Sequence, residues 1–218
     1  SHTTSNELFS SAGIPLQKVT QVACCKAYDT KVGTHHFITR LDHEKDPWGK
    51  KLARLEFGTS TGRQRMVGWF DAVEKGNALR YGGFDEIVIN KLDALTLDKE
   101  VDEELMICTA YELPDGSSTK KVPRDEDLRK KLIPIYESFP GWKTDLTEVS
   151  LFDELPIEAK NYISRMITSL IEVAYREGMN GRTFPKIRFI GVGPDPGQIV
   201  RDVPPVETFF YETNAPHG

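Results

Sequence analysis

The spacing of apolar residues predicts a chain of alternating helices and strands. In residues 14–28, Leu16, Val19, Val22, Ala23 and Ala27 fall at steps of three and four, which predicts a helix with one buried face. Cys24 and Cys25 fall inside it and read as core residues. Residues 31–41 mix β-branched side chains with paired histidines and predict a strand or extended connection. A second helix is predicted over 47–57, with Pro47 and Trp48 in its first turn and Gly58 at its end. Residues 69–81 predict a helix closed by Gly82-Gly83, and 86–89 a short buried strand.

Further along, 105–113, the turn Pro114-Asp115-Gly116 and 119–122 predict a β-hairpin. A short polar helix is expected over 124–131 and an extended segment over 133–139. The longest helix is predicted at 156–176, where Ile157, Tyr162, Ile163, Met166, Ile167, Leu170 and Ile171 form a wide apolar stripe. Strands are expected at 186–192 and 198–203. From Pro204 the tail lacks regular periodicity. This order predicts an α/β domain over 1–203 followed by an irregular tail over 204–218, with a mixed, mostly parallel sheet flanked by helices and an additional β-hairpin.

Composition narrows the classes. The chain has 218 residues, 39% of them hydrophobic and 28% charged, which fits a globular protein with a sizeable core. Its 28 Lys and Arg against 33 Asp and Glu give a net charge of −5, which disfavours a dedicated nucleic-acid or anionic-membrane binder. No apolar run approaches the roughly 20 residues of a membrane helix, and no charged-then-apolar leader opens the sequence. Three cysteines cannot form a disulfide framework, so a reducing, cytoplasmic compartment is expected.

Three segments carry candidate chemistry. The glycine-bracketed run Gly58-Thr59-Ser60-Thr61-Gly62-Arg63-Gln64-Arg65 places two arginines two positions apart, on one side of an extended segment. With its hydroxyls and Gly62 it suits a small dianion such as a dicarboxylic amino acid. Composition alone leaves a solvated turn with two surface arginines equally open. Asn90-Lys91-Leu92-Asp93 lies at the carboxyl end of a strand, where open α/β sheets place their crevices. A fixed Asp there complements the N1–H and exocyclic amine of guanine, and a polar strand cap is the alternative. Gly191-Val192-Gly193-Pro194 permits close backbone approach to a base or phosphate, or makes a simple turn. A phosphate loop of the form G-x-x-x-x-G-K-[ST] is missing from the sequence. His35 and His36 project to opposite faces of a strand, so with Asp42 and His43 they do not form a metal site.

In order along the chain, these strings resemble the C-terminal half of the adenylosuccinate synthetases. The carrying stretches are His2-Thr3-Thr4-Ser5-Asn6, Lys26-Ala27-Tyr28-Asp29-Thr30-Lys31-Val32-Gly33, Gly58 to Arg65 with Gly68-Trp69-Phe70-Asp71, and Asn90 to Asp93. They continue through Ile107-Cys108-Thr109-Ala110-Tyr111, Pro134 to Trp142, Ala159-Lys160-Asn161-Tyr162-Ile163 and Gly191 to Asp195. The resemblance implies a GTP-dependent, Mg²⁺-requiring ligase that joins IMP to L-aspartate through a 6-phosphoryl-IMP intermediate, usually as a homodimer.

By matching motif, Thr59, Ser60, Thr61, Gly62, Arg63, Gln64 and Arg65 are implied to bind aspartate. Arg63 also reaches the IMP side and Arg65 the GTP side. Val32 is implied to line the IMP ribose, and Lys91, Leu92, Asp93, Gly191, Val192 and Gly193 to hold the guanine.

The sequence also departs from the family. The glycine-rich phosphate loop, its catalytic Asp and the catalytic His have no counterpart, so no catalytic or metal residue is expected here. The arginine that one subunit lends the other would lie upstream of residue 1. Glu7-Leu8 replaces threonines of the IMP side, and Thr34-His35-His36-Phe37 replaces a Gly-Pro-Phe-Pro-like turn. Gly191 stands where Ser is commoner, Ser60 where Thr is, and 178–185 and the tail look like additions. The expectation is a portion of a synthetase, inactive alone, whose sheet lacks strands and exposes edges. The rival readings are a non-catalytic guanine-nucleotide or interaction paralogue, and a ligase joining aspartate to another purine nucleotide.

Overall fold

The computed structural model describes residues 5–58, 62–175 and 183–212. Helix α1 spans Ser5–Ala12, followed by strands β1 (Val22–Lys26) and β2 (Asp29–Lys31), helix α2 (Pro47–Arg54), and strands β3 (Met66–Gly68) and β4 (Phe70–Asp71). Helix α3 (Ala72–Gly82), strands β5 (Glu86–Asn90), β6 (Leu105–Glu112) and β7 (Ser118–Thr119), helix α4 (Glu126–Arg129) and strand β8 (Ile133–Phe139) come next. Helix α5 (Ile157–Ala174), strands β9 (Lys186–Gly191) and β10 (Ile199–Val200), and helix α6 (Val206–Glu212) complete the order.

Two sheets organise these elements. The first has the order β1-β5-β9-β10; β1, β5 and β9 run parallel, and β10 returns antiparallel. In the second, β6 is central, parallel to β4 and antiparallel to β7 and β8. The short pair β2–β3 is antiparallel. The expected mixed α/β architecture and the β6–β7 hairpin are present. The parallel character resides in the first sheet, while the second is mainly antiparallel.

Helix α5 supplies the largest apolar face, burying Tyr162, Ile163, Met166, Ile167 and Leu170. It packs against α3 at Gly76, where an added Cβ would lie 2.5 Å from the Val173 Cβ. Arg165 of α5 forks onto Glu137 of β8 through two 2.6 Å hydrogen bonds, joining the helix to the second sheet.

Three expectations need correction. The predicted helix over 14–28 does not form: residues 14–21 carry no regular structure and 22–26 are strand β1. Of its supposed buried face, Leu16, Val19 and Val22 are exposed, Leu16 at 79% and Val19 at 43%, and only Ala27 is fully buried. Pairing of β1 with β5 decides the segment, overriding a weak local period. Cys24 is consequently exposed on a strand, and burial pushes the half-buried Cys25 thiol up to about 11. The helix predicted from Trp69 begins at Ala72, because Phe70–Asp71 pair with Ile107–Cys108 and the Asp71 carboxylate caps the Glu74 amide at 2.9 Å. The tail expected to be irregular contains α6, whose Val206 and Phe209 are buried at a spacing of three.

Candidate functional site

The first sheet ends in a cleft of about 1090 Å³, lined along one wall by Lys26, Asn90, Lys91, Asp93, Gly191 and Gly193. These residues lie at or just beyond the carboxyl ends of β1, β5 and β9, the crevice position of an open parallel sheet. Backbone hydrogen bonds lace the three ends together. The Ala27 amide donates to the Asn90 carbonyl at 2.8 Å, and the Leu92 amide to the Gly191 carbonyl at 3.0 Å.

Lys91 is the one non-glycine residue with positive φ, at 61°, among the described residues. That left-handed turn separates the roles of its neighbours. Leu92 is fully buried and contributes only backbone, as does Val192, whose amide donates to the Gln198 carbonyl at 2.9 Å. Asp93 faces the cleft, and its buried Oδ1 has no hydrogen-bond partner. Burial raises its carboxyl, against the pull of its own amide, Lys91 and the Ala94 amide.

The arginine loop sits on a small antiparallel base. Phe57 bridges to Gln64, the Gly58 amide donates to the Arg63 carbonyl at 2.9 Å, and the Gly62 amide to the Gly58 carbonyl at 2.7 Å. Gly62 has φ +61°, a conformation glycine adopts without strain. Thr59, Ser60 and Thr61 lie outside the described residues. Gln64 turns its amide nitrogen onto the carbonyls of Ala53 at 2.7 Å and Glu56 at 2.9 Å, so it braces the loop against the end of α2. Arg63 is exposed, and Arg65 is half-buried. Val32 follows the cleft-lining Lys31 and is 72% exposed.

Sequence reasoning missed the residue that joins these parts. Glu56 is 2% exposed and accepts hydrogen bonds from Lys26 Nζ at 2.7 Å, Tyr28 Oη at 2.6 Å and Arg65 Nη1 at 3.2 Å. Lys91 Nζ lies 3.4 Å away. The base segment and the arginine loop thus meet at one carboxylate. Deeper in the cleft, Asp29 pairs with Lys75, whose ammonium also lies 4.4 Å from the centre of the Phe70 ring. Burial pulls Lys75 down to about 8.

The comparisons with known proteins decide the family. A profile described as adenylosuccinate synthetase matches residues 1–199. The chain belongs to the adenylosuccinate synthetase family. An adenylosuccinate synthetase of Staphylococcus aureus (strain N315) is 39% identical over 175 residues, covering 80% of this chain and 36% of that protein. The Acidothermus cellulolyticus synthetase is 35% identical over 182 residues, 83% of this chain and 38% of its own length. The structure of the fully ligated synthetase from Plasmodium falciparum superposes with a TM-score of 0.77 at 30% identity, covering 92% of this chain and 44% of that one. The chain therefore spans well under half the length of the synthetases it matches. Among the described residues, no group of three or more His, Cys, Asp or Glu side chains is placed to hold a metal ion. No described helix is long and apolar enough to cross a membrane.

Proposed function

We propose that this chain is the guanine-reading and aspartate-binding part of a cytoplasmic, homodimeric ligase that joins IMP to L-aspartate with GTP. The observation that carries this reading is Asp93, a cleft carboxylate with a buried, unpartnered oxygen beside Lys91 in its left-handed turn. An unpartnered buried carboxylate oxygen is costly, and a ligand donor offsets that cost. Guanine offers two adjacent donors, N1–H and the exocyclic amine, whereas adenine lacks the pair. Gly191 and Gly193 line the same wall without side chains.

At the other end, Arg63 and Arg65 stand on the braced loop, where guanidinium forks suit the carboxylates of aspartate and the phosphates of the nucleotides. Val32, Thr59, Ser60 and Thr61 are assigned to the substrate side of this loop on the family resemblance. Gln64 contributes by bracing. Phosphoryl transfer depends on positioning and on cations around the transferred group. We assign Mg²⁺ and the catalytic acid and base to no residue of this chain, and expect it to be inactive alone.

The test is base preference in an Asp93→Asn variant. The Asn amide presents an N–H to the exocyclic amine of guanine, which is also a donor, whereas the C2 carbonyl of xanthine accepts a hydrogen bond from that N–H. GDP binding should weaken by about 10- to 100-fold, the equivalent of a hydrogen bond to a charged group, while XDP binding is kept or improved. An unchanged GDP-to-XDP ratio removes Asp93 from base reading.

A further inference from the structure

Glu56 belongs to none of the strings that identify the site, yet it touches more of the site's cations than any ligand-facing residue described. Its Oε1 accepts from Lys26 and Tyr28 and lies 3.4 Å from Lys91 Nζ, while Oε2 accepts from Arg65. Burial by itself would raise its carboxyl. The hydrogen bonds from Lys26 and Tyr28, with the charges of Lys26 and Lys91, outweigh burial and hold it below the usual carboxylate range.

The cations differ in exposure. The Lys26 side chain is 22% exposed, against 36% for Arg65 and 40% for Lys91. Lys26, Tyr28 and Glu56 form a short-bonded inner unit, while Arg65 and Lys91 sit at longer range and are open to solvent. Arg65 is tied twice to the same residue, because its amide also donates to the Glu56 carbonyl at 3.0 Å.

The geometry points to Glu56 as a positioning residue that fixes the separation of Lys91, at the base end, from Arg65, on the arginine loop. A nucleotide bound beside Lys91 then meets Arg65 at a set separation. This deepens the guanine-nucleotide reading and rests on it. Two simpler roles make different forecasts. One is a screen that merely neutralises cations, and neutralising Glu56 would then tighten all nucleotides alike. The other is a folding anchor, whose loss would lower stability without altering selectivity in the molecules that fold.

The experiment compares ¹H–¹⁵N NMR spectra of the wild-type chain and Glu56→Gln, first without ligand and then titrated with GMP and AMP. The indole signals of Trp48 and Trp142 report the core. With these unchanged, the Arg65 Nε–H and Lys91 amide signals should shift and broaden, and the GMP-to-AMP affinity ratio should fall by at least about fivefold. Superimposable Arg65 and Lys91 signals, or equal changes for GMP and AMP, overturn the inference. A wild-type chain that binds neither nucleotide overturns the guanine reading, while the ligand-free signals still decide whether Glu56 orders the two cations. If Glu56→Gln does not fold, Tyr28→Phe removes one hydrogen bond from the carboxylate and keeps its charge. The same signals then decide: displaced Arg65 and Lys91 support positioning, and unmoved ones overturn it.

Discussion

Lys91 reaches to within 3.4 Å of the buried Glu56 carboxylate from a backbone turned into the left-handed region. That conformation costs an L-residue about 1–2 kcal/mol, and the hydrogen bonds lacing β1, β5 and β9 hold it there. Lys91→Ala and Lys91→Gly both remove the ammonium, so they differ only in the backbone. Urea unfolding should find the glycine variant about 1 kcal/mol more stable than the alanine variant, and equal stabilities would contradict strain at this turn.

Helices α3 and α5 meet at Gly76, where a Cβ would lie 2.5 Å from the Val173 Cβ and 2.9 Å from the Leu170 carbonyl oxygen. Alanine is otherwise the better helix former. The sign of Gly76→Ala therefore reports how tight the crossing is. A loss of about 1–3 kcal/mol is expected from overpacking, partly restored by adding Val173→Ala. A stabilised Gly76→Ala in thermal melts would contradict the crossing.

Asp71 is 1% exposed, and burial pushes its carboxyl up to about 6, against the hydrogen bonds from Tyr111 Oη and the Glu74 amide. An unfolded Asp titrates near pH 3.9, so between about pH 4 and 6 the folded chain holds this proton more tightly. The contribution of Asp71 to stability therefore falls as pH rises through that window and is flat above it. Relative to Asp71→Asn, which keeps the helix cap and does not titrate, the wild type should lose on the order of 3 kcal/mol between pH 4 and 7. A difference that is constant or rises with pH would contradict a protonated, buried Asp71.

Arg165 joins α5 to β8 by two 2.6 Å bonds to Glu137 and to Glu172 by one of 2.8 Å. The paired geometry needs a planar fork, which lysine does not supply. Arg165→Ala and Arg165→Lys should both lower the free energy of urea unfolding, the alanine variant by about 2 kcal/mol and the lysine variant by more than half as much. Full stability in Arg165→Lys would show that charge alone suffices.

Much of the scaffold was legible because local signals agreed with the fold. Ile87, Val88 and Ile89 read as a buried strand, Pro47-Trp48 as a helix start, and Pro114-Asp115-Gly116 as a hairpin turn. The 14–28 segment misled because its apolar residues happen to recur at helical steps, while pairing with 86–90 sets its conformation. Helix α6 is seven residues long and rests on packing, with Phe209 against Phe152 at 5.9 Å between ring centres. The position of Lys91 and Asp93 just beyond the end of a strand was readable. Glu56 was not, because an acid between Leu55 and Phe57 becomes a buried hub only through Lys26 and Tyr28, about thirty positions earlier. Gln64 looked like a ligand contact, and the carbonyls that engage its amide come from a helix end that the pattern could not aim.

The central claim is that the cleft at the ends of β1, β5 and β9 reads guanine through Lys91 and Asp93. Saturation-transfer NMR of this chain with GMP against AMP tests it most directly, since it detects weak binding. A GMP signal that GTP competes away, absent for AMP and lost in Asp93→Asn, is the predicted result. Equal signals for GMP and AMP, or a GMP signal untouched by Asp93→Asn, would contradict it.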